Sequence, residues 1–201
     1  MSQFIESIRV EDRKLHLADL HQRRVNQTFE HFGKENPINI SKIYSELQHE
    51  GEGLFKLRIL YDFDGKVQTQ LIPYAISELH SVRLVENNLL DYAFKFADRT
   101  ILDKMRQEAK ADEIMIAKNN YITDTSFSNL LFKKGKTWYT PSTFLLNGVQ
   151  RQHLLKSKKI REAEITVQNL RDFSHFQIIN AMNDFDDMFI YPIDLIQNLT
   201  K

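Results

Sequence analysis

Cysteine is missing from all 201 residues, which excludes disulfides, thiolate metal sites and a cysteine nucleophile. The seven histidines fall at no metal-ligand spacing, and no pair of carboxylates is placed for hydrolysis. A glycine-rich loop of the Rossmann or Walker type is absent as well. Neither sign of charge prevails: 27 basic and 27 acidic residues leave a formal net charge of zero. That argues against a general grip on nucleic acid or an anionic membrane, while leaving room for a local basic pocket. No run is apolar and long enough to cross a bilayer. The stretch Met1–Asp12 carries Glu6, Glu11 and Asp12 where a signal peptide would be apolar. The expectation is a soluble, cytoplasmic protein without a metal.

What is present is a hydrophobic share of 42%, enough for one large core or two small ones. Ser7–Val10 and Lys14–Leu17 read as a hairpin around Glu11–Arg13. From Asp19 to Phe32 the apolar spacing turns helical, with Asp19 as cap and Gly33 as stop. Ile40–Leu47 reads as a second helix, capped by Asn39 or Ser41. Leu54–Tyr61 and Lys66–Ile72 form an antiparallel pair closed by Pro73, which cannot donate to a ladder. Tyr74–Ser81 is the expected linker between a small N-terminal α/β domain, residues 1–80, and a larger C-terminal one, residues 81–201. There, strands are expected at Ser81–Leu84, Glu113–Ala117, Tyr121–Thr123, Asn129–Phe132, Thr137–Thr140, Ile165–Thr166 and Phe176–Asn180. Helical composition covers Ala97–Ala111, a helix opens at Leu146–Arg151 and runs to Lys156, and Val167–Leu170 starts a helical turn. Asp124–Ser128 reads as a polar loop, and Leu195–Leu199 as a closing helix. The class is mixed α/β (α+β).

Four features carry chemistry. Lys95 is flanked by Phe94 and Phe96, either because its stem covers apolar surface or because it is a partly desolvated amine suited to a Schiff base. His21, Arg23 and Arg24 near the start of the first helix form either a solvated basic face or an anion clamp, since guanidinium suits phosphate. Asp124 in a Ser/Thr-rich loop is a turn former or a functional acid. Gly148, where loop becomes helix, either shapes a turn or exposes the N–H groups of Val149 and Gln150 to an anion.

Their order resembles the class IV aminotransferases, the fold-type-IV pyridoxal-phosphate enzymes. Lys95-Phe-Ala-Asp-Arg99 is similar to the family's lysine followed by an Asn/Asp-Arg pair. Asp124-Thr-Ser-Phe-Ser-Asn129 resembles its acid-to-asparagine segment, and Leu146-Asn-Gly-Val-Gln-Arg151 its phosphate turn. Phe4-Ile-Glu-Ser-Ile-Arg9 and His21-Gln-Arg-Arg24 are similar to its two N-terminal elements. The resemblance implies a two-domain fold with a β-barrel-like larger domain and pyridoxal 5′-phosphate in the interdomain cleft. It also implies a homodimer whose neighbouring subunit closes the pocket. It makes Lys95 the catalytic lysine, joined to the cofactor aldehyde and shuttling a substrate proton. By the same resemblance Asp124 would pair with the pyridine nitrogen. It implies too that Arg24 and the N–H groups of Val149 and Gln150 bind the phosphate, that Ala181 and Met182 form a second phosphate turn, and that Leu146 packs on the ring.

The chain departs from the family pattern at several of these points. Asp124 stands where relatives carry Glu, and Thr100 where branched-chain aminotransferases carry tyrosine. Ala181 lacks a hydroxyl that several relatives offer, and the N-terminal domain is abbreviated. The implied activity is that of 4-amino-4-deoxychorismate lyase, releasing pyruvate and p-aminobenzoate from a small amino-acid-type substrate. An amino-acid aminotransferase, branched-chain or D-specific, and a non-catalytic binding protein on the same fold are the alternatives.

Overall fold

The computed structural model describes residues 3–49, 51–183, 185 and 189–199. The chain forms two compact units, Met1–Ile76 with Phe94–Asp98, and Ser77–Ala93 with Arg99–Lys201. The sequence reading passes from one domain to the other once, over Tyr74–Ser81; the structure also returns the residues around Lys95 to the first unit.

The first unit is a sheet of four strands with one face covered by helix α1 (Ala18–His31). Its strands are β1 (Phe4–Glu11), β2 (Lys14–Leu15), β3 (Leu54–Tyr61) and β4 (Val67–Pro73), in the order β2-β1-β3-β4. β1 begins earlier than the expected Ser7 because it pairs with β3 along its whole length, from Phe4 opposite Tyr61 to Glu11 opposite Leu54. That pairing is non-local and leaves no periodicity signal of its own. The hairpin turns through Asp12 and Arg13, both at positive φ (46° and 65°) as a tight antiparallel turn requires. Asp12 holds that turn by accepting the Gly53 N–H at 2.9 Å.

Apolar residues of α1, Val25 and Phe29, meet Phe4, Ile8 and Val10 of β1 and Leu57, Ile59 and Tyr61 of β3 in one fully buried core. Asp19 lies in the first turn of α1 without capping it, a correction to the expected start; Leu17, left-handed at φ 53°, begins the helix instead. Asn39 caps helix α2 (Ile40–Glu46), accepting the Lys42 N–H at 2.9 Å, which decides between the two candidate caps.

Phe94–Asp98 adds to the free flank of β1. Phe96 bridges Phe4 in antiparallel fashion, Ile5 N–H donates to Lys95 C=O at 2.9 Å and Ala97 N–H to Gln3 C=O at 2.8 Å. The rings of Phe96 and Phe94 pack against Phe4 (5.3 Å) and Phe32 (5.2 Å). This explains the aromatic flanks of Lys95: they fasten its backbone to the first unit.

The second unit holds the larger sheet, in which β5 (Val82–Glu86), β6 (Glu113–Lys118), β7 (Tyr121–Thr125), β8 (Asn129–Lys134), β9 (Thr137–Pro141) and β10 (Arg161–Ala163) lie in the order β10-β9-β8-β7-β6-β5, with β11 (His175–Ile179) beside β8 and β12 (Tyr191–Pro192) beside β11. β5 (Val82–Glu86) runs parallel to β6 (Glu113–Lys118), joined through helix α3 (Thr100–Ala109), which starts later than the expected Ala97. β6 turns through Asn119 and Asn120, at φ 49° and 71°, into β7 (Tyr121–Thr125). Asp124 therefore lies in a strand, not in the loop expected for it. β8 (Asn129–Lys134) pairs with β9 (Thr137–Pro141) and with β11 (His175–Ile179). β10 (Arg161–Ala163), a strand with no local sequence signal, adds in parallel to β9, and β12 (Tyr191–Pro192) pairs with β11. Helix α4 (Val149–Lys156) buries Leu154 against Leu131, Ile160 and Ile179.

The expected closing helix over Leu195–Leu199 does not form. A 3₁₀ turn at Ile193–Leu195 is followed by Ile196 bridging Val82. The Asn198 amide then both accepts from Leu84 N–H and donates to Leu84 C=O at 2.8 Å, satisfying strand β5 instead. No described helix is long and apolar enough to cross a membrane.

Candidate active site

Strand alternation puts Glu6 on the α1 face of β1, between Phe4 and Ile8. A carboxylate placed there has no access to water and needs partners from the helix. It has them. Arg24 Nε donates to Glu6 Oε1 at 2.8 Å, Arg24 Nη2 donates to Oε2, and His21 Nδ1 lies 2.6 Å from Oε2. His21 and Arg24 are three apart, so one face of α1 presents both. Burial alone would raise the Glu6 pKa, but the Arg24 charge and the hydrogen bonds from His21 and Arg24 bring it down to about 2. Burial lowers the pKa of His21 against the pull of Glu6, so the imidazole is neutral and donates through Nδ1. His21 Nε2 is buried without a hydrogen-bond partner.

Lys95 is half-buried, and its charge reaches His21, lowering that pKa further. The structure thus gathers Lys95, His21 and Arg24 into one electrostatic neighbourhood. Glu6, at its centre, was quoted in the sequence only as part of a motif. The signal for it was there: an acid between apolar neighbours on the buried face of a strand.

In the second unit Asp124 is 5% exposed. Register places it opposite Asn129. Asn129 Nδ2 donates to Asp124 Oδ1 at 2.6 Å and to Leu146 C=O at 2.8 Å. The N–H groups of Leu145 and Leu146 donate to Oδ2 at 2.8 and 2.9 Å. Burial outweighs these hydrogen bonds, and the Asp124 pKa is raised to about 6. The nearest cationic influence is Arg151, whose guanidinium is bonded to Asn147, to Pro141 C=O and to Glu162 rather than to Asp124.

Gly148 precedes α4 with an ordinary φ of −64°, so its backbone would accept any residue. Space decides instead. A Cβ there would lie 2.1 Å from Asn129 Oδ1. The first internal bond of α4 runs from Gln152 N–H to Gly148 C=O at 3.0 Å, which places the N–H groups of 149–151 ahead of the helix's own ladder. Val149 and Gln150 are both buried there, and Leu146 is half-buried.

The turn at Asn180–Met182 is tied to the same place, because Asn180 Nδ2 donates to Ser128 Oγ at 2.9 Å. Its Oδ1 accepts the Met182 N–H at 2.8 Å, so that N–H is turned into the protein. Ala181 is half-buried and Met182 buried. Asn129 and its neighbour Ser128 are therefore the hub on which Asp124, Leu146, Gly148 and the Asn180 turn converge. In the sequence Asn129 stands out only as the end of the acid-to-asparagine segment.

Residues 3–194 match the family model described as amino-transferase class IV. The chain belongs to the class IV aminotransferase family. A Haemophilus influenzae protein without an assigned activity is 34% identical over 190 residues, spanning 91% of this chain and 99% of its own. A Haemophilus somnus crystal structure, provisionally named a 4-amino-4-deoxychorismate lyase, is 33% identical with a TM-score of 0.85, covering 92% of this chain and 98% of that one. A solved hypothetical aminotransferase of Mycobacterium tuberculosis, with α-ketoglutarate and PMP bound, shares the fold at a TM-score of 0.74 and 14% identity, covering 90% of this chain and 77% of that one. The architecture is that of the fold-type-IV enzymes in a short form, and the family and its lyase-named member support an enzyme.

Proposed function

We propose that this family member binds pyridoxal 5′-phosphate and acts as a lyase of the 4-amino-4-deoxychorismate type, releasing pyruvate and p-aminobenzoate. The observation that carries the reading is Asp124, a carboxylate anchored by three donors and held up at about 6 by burial, which outweighs those hydrogen bonds and the charge of Arg151. A protonated pyridine nitrogen would bring the adjacent positive charge that holds such an acid ionised. The resemblance to the Haemophilus somnus protein, and Thr100 in place of tyrosine, favour the lyase over an aminotransferase.

Pyridoxal phosphate, when bound, supplies a ring that draws electrons from the substrate carbon. The chain's own residues do the rest. Lys95 Nζ would hold the aldehyde and carry the proton at the substrate α-carbon. Asp124, as a carboxylate, would keep the ring nitrogen protonated, with the N–H groups of Leu145 and Leu146 fixing its Oδ2. Arg24, its guanidinium oriented by Glu6 through Nε and Nη2, would hold the phosphate, as would the leading N–H groups of α4. The chain works as a homodimer in this reading, which light scattering tests directly.

Borohydride reduction after incubation with pyridoxal phosphate should leave a pyridoxyl group on the peptide carrying Lys95, and none in a folded Lys95→Ala variant. With 4-amino-4-deoxychorismate, pyruvate should appear without any keto acid added. If product forms only when a keto acid is supplied, the enzyme is an aminotransferase. An unlabelled Lys95 with excess cofactor overturns both.

A further inference from the structure

His21 is titratable and fully buried, and the lysine and phosphate chemistry leaves it unused. Glu6 is buried with it, whereas Arg24 keeps 10% of its side chain exposed. Glu6 is ionised, and a carboxylate only accepts, so the hydrogen between the two side chains belongs to His21 Nδ1. The neutral ring then carries its lone pair on Nε2. That nitrogen is buried without a hydrogen-bond partner, a costly state for an acceptor shut away from water.

The charges that act on the ring come from each element around it. Glu6 on β1 is the anion. Arg24, further along α1, brings Nη2 to 3.5 Å from His21 Nδ1, and Lys95, on the segment flanking β1, adds a second positive charge. Tyr61 on β3, which senses Glu6 and Arg24, is pushed up by burial, so its hydroxyl stays neutral. Burial holds His21 neutral too, with Arg24 and Lys95 acting in the same direction against Glu6. One negative charge against two positive ones leaves the cluster positive, and a proton on Nε2 would add a third. A neutral donor reaching Nε2 would satisfy the lone pair and leave that surplus untouched. A dianion beside Arg24 answers both needs: it turns the surplus positive charge into a negative one, which a proton on His21 then cancels.

We infer that His21 is the proton partner of an anion site at Arg24, where a tetrahedral dianion of the phosphate-monoester class binds together with a proton taken up from solvent by Nε2. The ring lone pair forms the new N–H bond, and no other bond changes. Nδ1 keeps its hydrogen toward Glu6, so a carboxylate holds the imidazolium while the anion balances the added charge. His21 thus acts on the ligand through charge, as a positioning residue. The same chemistry serves the phosphate of a cofactor and free inorganic phosphate. The inference rests on Arg24 as the phosphate holder of the proposed function, and not on Lys95 joining an aldehyde.

The test is calorimetric titration of the full chain with sulfate, a dianion that brings no titrating proton near neutral pH, in two buffers of different ionisation heat. Wild type should take up about one proton per sulfate bound, and its affinity should fall about tenfold for each unit of rising pH. His21→Gln keeps a donor for Glu6 but takes no proton, so uptake should vanish and affinity should become level with pH. No sulfate binding to wild type, binding without proton uptake, or full uptake by a folded His21→Gln each overturns the inference. Should His21→Gln fail to fold in a thermal melt, ring-nitrogen NMR of wild type decides. There His21 Nε2 must pass from bare to protonated when sulfate is added, and an unchanged resonance overturns the inference. Competition separates the two sources: pyridoxal phosphate displacing sulfate at lower concentration than inorganic phosphate assigns the site to a cofactor, and the opposite order to free phosphate. Either order keeps the inference, and displacement by neither overturns it. Proton-linked sulfate binding with Lys95 unlabelled by borohydride would keep the anion site and remove the cofactor reading. A labelled Lys95 without the proton linkage would do the reverse.

Discussion

Two buried carboxylates in this protein answer acid in opposite directions. Glu6, brought from 4.5 to about 2 by the Arg24 charge and its hydrogen bonds against the upward push of burial, favours the folded state when ionised. Its contribution is complete above about pH 4.5 and is lost as pH falls through 2. Asp124, raised by burial from 3.8 to about 6, prefers to fold with its proton on. Its ionisation therefore removes stability as pH rises from 3.8 to 6, by about 3 kcal/mol for a shift of this size. Urea denaturation across this pH range should show both limbs. Glu6→Gln should flatten the acidic one and cost about 3 kcal/mol at neutral pH, because it leaves Arg24 facing no charge in a buried place. Asp124→Asn should flatten the upper one. Saturating the protein with pyridoxal phosphate should flatten the upper limb as well, since a cation beside Asp124 lowers its pKa.

At the scale of elements, the approach of α4 to β8 is set by one missing methyl group. Gly148→Ala would press its Cβ on Asn129, displacing the amide that joins Asp124 to Leu146. The expected loss is about 1–3 kcal/mol, typical of an overpacked site. In an Asn129→Ala background the same substitution should cost far less, and a double-mutant cycle on thermal unfolding measures that coupling. Asn39→Ala, which removes the cap of α2, should cost about 1 kcal/mol, a loss confined to stability with ligand binding unchanged. The elements legible in the sequence were those whose pattern is local. β3 was read to the residue, and the hairpins around Lys134–Lys136 and Asn119–Asn120 were visible from their turn chemistry. β10 and the end of the chain were not, because a short parallel strand and a side-chain amide closing β5 depend on partners distant in sequence. Asp124 has the local sequence of a loop for a similar reason: its strand pairs with β8 only at Asn129.

For the whole molecule, the order of motifs revealed the family more readily than any element did. Lys95, Arg24, Asp124 and Gly148 are each ordinary alone, and their succession along the chain is not. What succession could not show is how the groups are supported: Glu6 bracing Arg24, Asn129 spanning three segments, and His21 with a bare ring nitrogen. Those relations arise from register and burial. A prediction at this scale follows from ligand linkage. Pyridoxal phosphate at one hundred times its dissociation constant should stabilise the protein by about 2.7 kcal/mol, read as a concentration-dependent rise in melting temperature. Lys95→Ala should lose most of that rise.

The excursion of Phe94–Asp98 into the first unit means that no single scissor-cut divides the gene into two self-sufficient halves. A fragment ending at Ile76 would leave the Gln3 C=O and the Ile5 N–H without the partners that Ala97 and Lys95 give them, and Phe4 without the stacked ring of Phe96. Anyone grafting this amino-terminal portion onto a relative must therefore transplant the short lysine-bearing piece along with it, or build a chimaera with a torn seam.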